Sequence, residues 1–244
     1  MSTRLACVVF DADQPRSVAR FWAELLGWDV TVDRPDEVDV AAPDPDAPDV
    51  ALTFRSAARP KSGKNRIHLD LASRSLDHQR VQVDRALSLG ARRIDIGQGA
   101  VPWEVLADPE DNEFCVLEPR EQYVDTGAVA AIVVDTRDPA RLARFWSAAS
   151  GWPVTHHGNE LCGIRAATGQ GPWLEFLRAE GDGDRLRLDL TSHPAGDPDA
   201  DLERLRAAGA ITLRPNDSRA GRARSMVLAD PETYEFQLLR PRGD

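Results

Sequence analysis

Cysteine is scarce in this chain: of 244 residues, only Cys7, Cys115 and Cys162 carry a thiol. An odd number of widely spaced cysteines excludes a disulfide framework. Long apolar runs are missing as well. No stretch approaches the roughly 20 residues that a membrane-spanning helix requires, so no membrane partner is expected. Basic residues are outnumbered, 30 Lys and Arg against 40 Asp and Glu, for a formal net charge of -10. A surface of that sign repels a phosphate backbone, which removes nucleic acid from the expected partners. The opening "MSTRLACVVFDAD" lacks a basic start, an apolar stretch and a small-residue cleavage site, and a cytoplasmic location is the expectation. Neither Gly-x-x-x-x-Gly-Lys-Ser/Thr nor a strand-linked Gly-x-Gly-x-x-Gly occurs, so the common phosphate-cradling loops are absent.

What the chain does contain is repetition. "ARFWAELLGWDVT" at 19–31 returns as "ARFWSAASGWPVT" at 143–155, "HLDL" at 68–71 as "RLDL" at 187–190, and "ADPEDNEF" at 107–114 as "ADPETYEF" at 229–236. Order is kept while spacing drifts, as loop insertions do to a duplicated domain. Two domains are expected, at 1–120 and 126–244, with the boundary near "EPREQYVDTG" at 118–127. Each holds about 120 residues, enough to bury its own core.

Both halves spell the same elements. "RLACVVFD" reads as a strand, and Pro15 and Pro139 suit a first helical position, Asp138 being a better N-cap than Gln14. Val18, Phe21, Trp22, Leu25 and Leu26 follow helical spacing up to Gly27, and Leu142, Phe145, Trp146 and Ala149 do so up to Gly151. Phe21, Trp22, Phe145 and Trp146 are therefore packing residues before they are anything else. Three short strands follow each helix, then a second strand, helix and three strands in each half. The whole chain reads as four βαβββ units. The basic stretch at 214–225 reads as a variable surface loop.

That order of elements, the helix start "DPARLARFW" (138–146), the "KNRIHLDL" run (64–71) and the terminal "DPEDNEFCVL" (108–117) resemble the vicinal oxygen chelate superfamily, in its glyoxalase-like branch. The superfamily includes glyoxalase I, extradiol dioxygenases and bleomycin-binding resistance proteins. The resemblance implies an α+β fold: a tandem repeat of two glyoxalase/bleomycin-resistance-like domains, each of two βαβββ modules forming curved mixed sheets around a cup. It also implies metal-ligand positions on the first, fourth, fifth and eighth strands of a domain, usually His or Gln, Glu, His and Glu. Carried over, these fall on Cys7, Thr53, His68 and Cys115 in the first half, and on Ala131, Glu175, Arg187 and Gln237 in the second. Ala131 offers no donor and Arg187 repels a cation, so no cofactor is expected in the second half. The remaining metal reading is a divalent ion on Cys7, His68 and Cys115, against two packed thiols and a wall histidine.

Alternation in "RIHLDLA" sets Ile67, Leu69 and Leu71 on one face and Arg66, His68 and Asp70 on the other. In the same way Arg185, Arg187 and Asp189 oppose Leu186, Leu188 and Leu190. Thr53, Arg55, Arg66, His68, Asp70, Trp103 and Cys115 are candidate walls of one cup, and Trp173, Glu175, Arg185, Arg187, Asp189 and Gln237 of the other. Aromatic walls with a few fixed charges suit an organic ligand, whereas the bland reading pairs Arg66 with Asp70 and Arg187 with Asp189 across each sheet. Three function classes follow. A metal-independent protein sequestering an aromatic or cationic small molecule, like the drug-binding members of the superfamily, comes first. A lyase, isomerase or dioxygenase with His68 as general base beside Asp70, with or without a metal, comes second. An interaction module whose cups are filled by its own side chains comes third. Monomer and homodimer are both compatible with a tandem chain.

Overall fold

A computed structural model describes residues 3–57, 60–181, 183–216 and 225–240; most of the basic loop expected at 214–225 thus lies outside the described residues. The first module comprises β1 (Thr3–Ala12), α1 (Pro15–Leu26), β2 (Asp29–Arg34), β3 (Glu37–Ala41) and β4 (Ala51–Ser56). The second comprises β5 (Ile67–Leu71), α2 (Leu76–Ser88), β6 (Arg92–Arg93), β7 (Glu104–Ala107) and β8 (Glu113–Val116). β9 (Val129–Thr136), α3 (Pro139–Ser150), β10 (Val154–His156), β11 (Leu161–Ile164) and β12 (Trp173–Arg178) form the third. β13 (Leu186–Ser192), α4 (Pro198–Ala208), β14 (Ile211–Asn216), β15 (Ser225–Ala229) and β16 (Glu235–Leu239) form the fourth. The expected unit therefore occurs four times.

Local signals explain these elements. Gly27 and Gly151 close α1 and α3 at φ 70° and 78°, a left-handed conformation that glycine adopts without strain. The Asp138 side chain caps α3 by accepting the Arg141 N–H. Gln14 gives α1 no such cap. Glu110, from the turn between β7 and β8, instead accepts the Asp13 and Gln14 amides at 2.7 and 2.6 Å. A carboxylate from another module thus satisfies the helix start that the local sequence leaves open.

The modules do not pair within the halves. One eight-stranded sheet runs β14-β15-β16-β13-β1-β4-β3-β2 and the other β10-β11-β12-β9-β5-β8-β7-β6. Each joins one module from each half through antiparallel contacts, β1 on β13 and β5 on β9. A further crossing lies between the sheets, where Gly183 bonds the backbone of Lys64 and Arg66. A Cβ at Gly183 would sit 2.6 Å from the Lys64 carbonyl oxygen, so this approach needs glycine.

One continuous core lies between the sheets. On β1, Leu5, Val8, Phe10 and Ala12 join it, and on β5, Ile67, Leu69 and Leu71 do. The helices pack in the same layer. Trp22 on α1 touches Phe10 of the first sheet and Phe114 of the second at ring separations of 5.7 and 5.1 Å, and Phe145 and Trp146 on α3 repeat the arrangement against Phe236. The repeated aromatic pairs are thus packing residues, as their spacing predicts. With the apolar faces spent on this core, the opposite faces form two outward cups.

Candidate functional site

The cross-pairing redistributes the candidate residues. The first cup draws Cys7, Thr53 and Arg55 from the first module and Arg187, Asp189 and Gln237 from the fourth. The second draws His68, Asp70, Trp103 and Cys115 from the second module and Ala131, Trp173 and Glu175 from the third. The expected set of Cys7, His68 and Cys115 is therefore corrected: Cys7 lies on a different sheet, paired with Asp189 and Ala51. Arg66 and Arg185 are corrected too. Both precede their strands and turn away from the cups. Arg66 donates to Asp230 and Glu232 at 3.2 and 2.9 Å and stacks on Tyr234, while Arg185 donates to the Asp11 carbonyl and the Asp13 carboxylate. These are ties between modules, and the expected pairing of Arg66 with Asp70 does not occur.

The first cup is a closed network of charges. Arg55 pairs with Glu37 at 2.8 Å and reaches Asp189 at 3.6 Å, and Arg187 pairs with Asp11 at 2.9 Å and Asp189 at 3.4 Å. Thr53 donates to Asp39, and Asp189 accepts the Gln237 amide. Burial works against the Arg187 charge, but the carboxylates of Asp189 and Asp11 outweigh it and raise its pKa. Burial, then the Asp189 charge, push the Cys7 thiol up to about 12, which leaves it inert. With a guanidinium at one of the four ligand positions and a protonated thiol at another, this cup does not fit a metal.

The second cup has a polar floor in an apolar wall. Val133, Ala131, Val105, Leu177, Trp103 and Trp173 surround it. On the floor, one donor atom each from His68, Asp70 and Cys115 lie within 4.8 Å of one another, all three residues buried. Among the described residues, His68 Nδ1 and Asp70 Oδ1 have no hydrogen-bond partner. Burial, then the Glu175 carboxylate, push Asp70 up to about 7, against the neighbouring Cys115 thiol and Arg120, which act to lower it. Burial and Asp70 push that thiol up far beyond its ordinary range. His68 Nε2 is 3.5 Å from Asp70, too long to hold a proton on the ring against burial, which with Lys64 pushes the imidazole down to about 3. His68 is therefore neutral at physiological pH. A neutral imidazole, a carboxylate and a thiol at such separations suit a divalent cation, which would deprotonate the thiol. This donor set fits a metal, although Asp70 stands in where Ala131 supplies nothing.

Two contributors escaped the sequence reading because they sit in the expected interdomain boundary. Tyr123 is buried and donates its hydroxyl to Glu175 Oε1 at 3.0 Å, and the Trp173 indole donates to the Gln122 carbonyl. Arg120 lies over the rings of Trp103 and Tyr123, 5.3 and 5.9 Å from their centroids, and is held by Glu118. An arginine and a tyrosine in a segment otherwise rich in polar residues were the available signal. Side chains of the connecting segment thus occupy one end of this cup.

Sequence and structure comparisons agree with this architecture. The family described as "Glyoxalase-like domain" matches residues 7–117 and again 131–239. No curated protein matches the chain in sequence. Among solved structures, glyoxalase I from Zea mays superposes with a TM-score of 0.70 at 14% identity, over 98% of this chain and 92% of that one. A putative dioxygenase from Bacillus subtilis superposes with a TM-score of 0.65 at 11% identity, over 98% and 86% of the two chains. Identities this low speak for the shared fold alone.

Proposed function

The chain belongs to the glyoxalase-like domain family of the vicinal oxygen chelate superfamily, and on that premise we propose that it binds an aromatic or cationic small molecule in its second cup, without a metal. One observation carries this reading. Two buried carboxylates, Asp70 and Glu175, face an apolar wall that includes Trp103 and Trp173. Burial raises the pKa of both acids, and a bound cation would reverse that by supplying the missing charge. The indole faces add cation–π attraction of about 0.5–2 kcal/mol. The protein already engages one of the metal-capable groups, since the Tyr123 hydroxyl donates to Glu175. Both features favour a ligand-binding cup over a metal centre.

The clustering of His68, Asp70 and Cys115 favours a second reading, that of a family enzyme. These three residues would hold a divalent metal, which when bound polarises a substrate oxygen. In the metal-free form of this reading, the lone pair of the neutral His68 would instead accept a proton from the substrate, beside Asp70.

Elemental mass spectrometry on untagged protein, with isothermal titration of aromatic amines, separates the two. The proposal expects a metal content near zero, binding that strengthens as pH rises through about 7 with Asp70 ionising, and a loss of about 10- to 100-fold in Glu175→Gln. One equivalent of metal that disappears in both His68→Ala and Cys115→Ser would overturn it in favour of the enzyme.

A further inference from the structure

The segment joining the halves enters the second cup and is fastened there at several points. Tyr123 bonds Glu175, the Trp173 indole bonds the Gln122 carbonyl, the Gly171 amide bonds the Asp125 carbonyl, and the Thr126 hydroxyl bonds the Tyr123 carbonyl. Most of its neighbours are exposed: Glu121, Gln122, Val124 and Asp125 face solvent around the buried Tyr123. Joining β8 to β9 needs only a connection of this length, and nothing about connecting them calls for a planar cation set over aromatic rings. Yet Arg120 presents one, over Trp103 and Tyr123, with its partner Glu118 at 2.6 Å. Burial works against the Arg120 charge, and the hydrogen bond and charge of Glu118 outweigh it. Its side chain keeps 29% of its surface exposed, so solvent can reach and replace it.

We infer that Arg120 is an internal stand-in for the ligand's head group, and that the second cup recognises a planar guanidinium- or amidinium-type cation which must displace Arg120 to bind. The inference rests on the second cup being the ligand site and narrows the class of ligand it takes. A flat, delocalised cation matches indole and phenol faces along its whole plane, whereas a tetrahedral ammonium meets them at a point. The connecting segment then works as a tethered competitor. If it is in place about nine-tenths of the time, it lowers the apparent affinity for an external cation about tenfold.

Isothermal titration with benzamidine as the planar probe and benzylamine as the tetrahedral one tests this. The proteins are the wild type, Arg120→Ala, Arg120→Gln and Glu175→Gln. Removing the guanidinium in either Arg120 variant is expected to tighten benzamidine about tenfold, with a smaller gain for benzylamine. Arg120→Gln keeps the aliphatic stem and a polar end without the charge, so the test stands even if the alanine variant folds poorly. Benzamidine affinity unchanged or weakened in both Arg120 variants, while Glu175→Gln still lowers it, overturns the stand-in and leaves the second cup as a ligand site. Equal gains for the two probes overturn the planar class. No binding of either probe to any of the four proteins overturns this inference together with the reading it rests on.

Discussion

Replacing Asp70 by Asn should stabilise the protein above neutral pH and leave it unchanged in acid. The carboxyl is buried on the cup floor, faces Glu175, and is pushed up to about 7 from an ordinary 3.8. A raised acid pKa means that the folded chain holds a proton the unfolded chain has released. Stability contributed at this site is therefore greatest in acid and declines as pH rises through the window from 3.8 to about 7. The steepest decline is about 1.4 kcal/mol per pH unit, and the full window amounts to about 4 kcal/mol as an upper bound. Water entering an outward cup and the neighbouring Arg120 reduce this, and about 1–2 kcal/mol is expected in practice. Asn keeps the shape and removes the titration. Urea unfolding of wild type and Asp70→Asn, both stripped with chelator, between about pH 5.5 and 8.5 should show a stability difference that widens with pH and levels off above about 7. Comparing variants also cancels the opposite slope from His68, whose depressed pKa makes the protein lose stability as pH falls. A difference that stays flat with pH, or an Asn variant weaker at every pH, would refute the account of the cup floor.

Two other outcomes follow from the module pairing. Arg66→Ala leaves Asp230, 1% exposed, without its cation and removes the stacking on Tyr234, so urea unfolding should show a loss of about 3 kcal/mol; a loss below about 1 kcal/mol would mean that this tie between halves is dispensable. Expressed separately, residues 1–120 and 126–244 should each lack native circular dichroism, because β1 and β5, or β9 and β13, lose their antiparallel partners and expose open sheet edges. Mixing the two should restore the spectrum, and a half that folds cooperatively as a monomer would contradict the pairing.

The parts of the fold that depend on near neighbours were legible in the chain. The spacing of Phe21, Trp22 and Leu25, the glycine stops at Gly27 and Gly151, and the alternation that buries Ile67 and Leu69 while presenting His68 and Asp70 all held. The site was less legible. His68, Asp70, Cys115, Trp103, Trp173 and Glu175 were all candidates, but their division into cups by half was not the one the structure adopts. Arg66 and Arg185 carry the right alternation and still turn away, because each sits just before its strand, where carboxylates of another module claim it. Arg120 and Tyr123 were hidden in a segment that has no periodicity to read.

By itself the sequence determined four repeated units, their helices and strands, and the inward or outward face of most residues, since these follow from dihedral preference and local hydrophobic period. Which unit pairs with which was decided only in three dimensions. Edge strands join through backbone groups that every residue carries, so β1 could be satisfied chemically by β5 or by β13. The choice rests on contacts across more than a hundred residues, the Gly183 approach and the Arg66 ties. That choice puts His68 in register with Val133 and, one strand further, with Glu175, while Cys7 lies on the other sheet, and with it sets the character of the second cup.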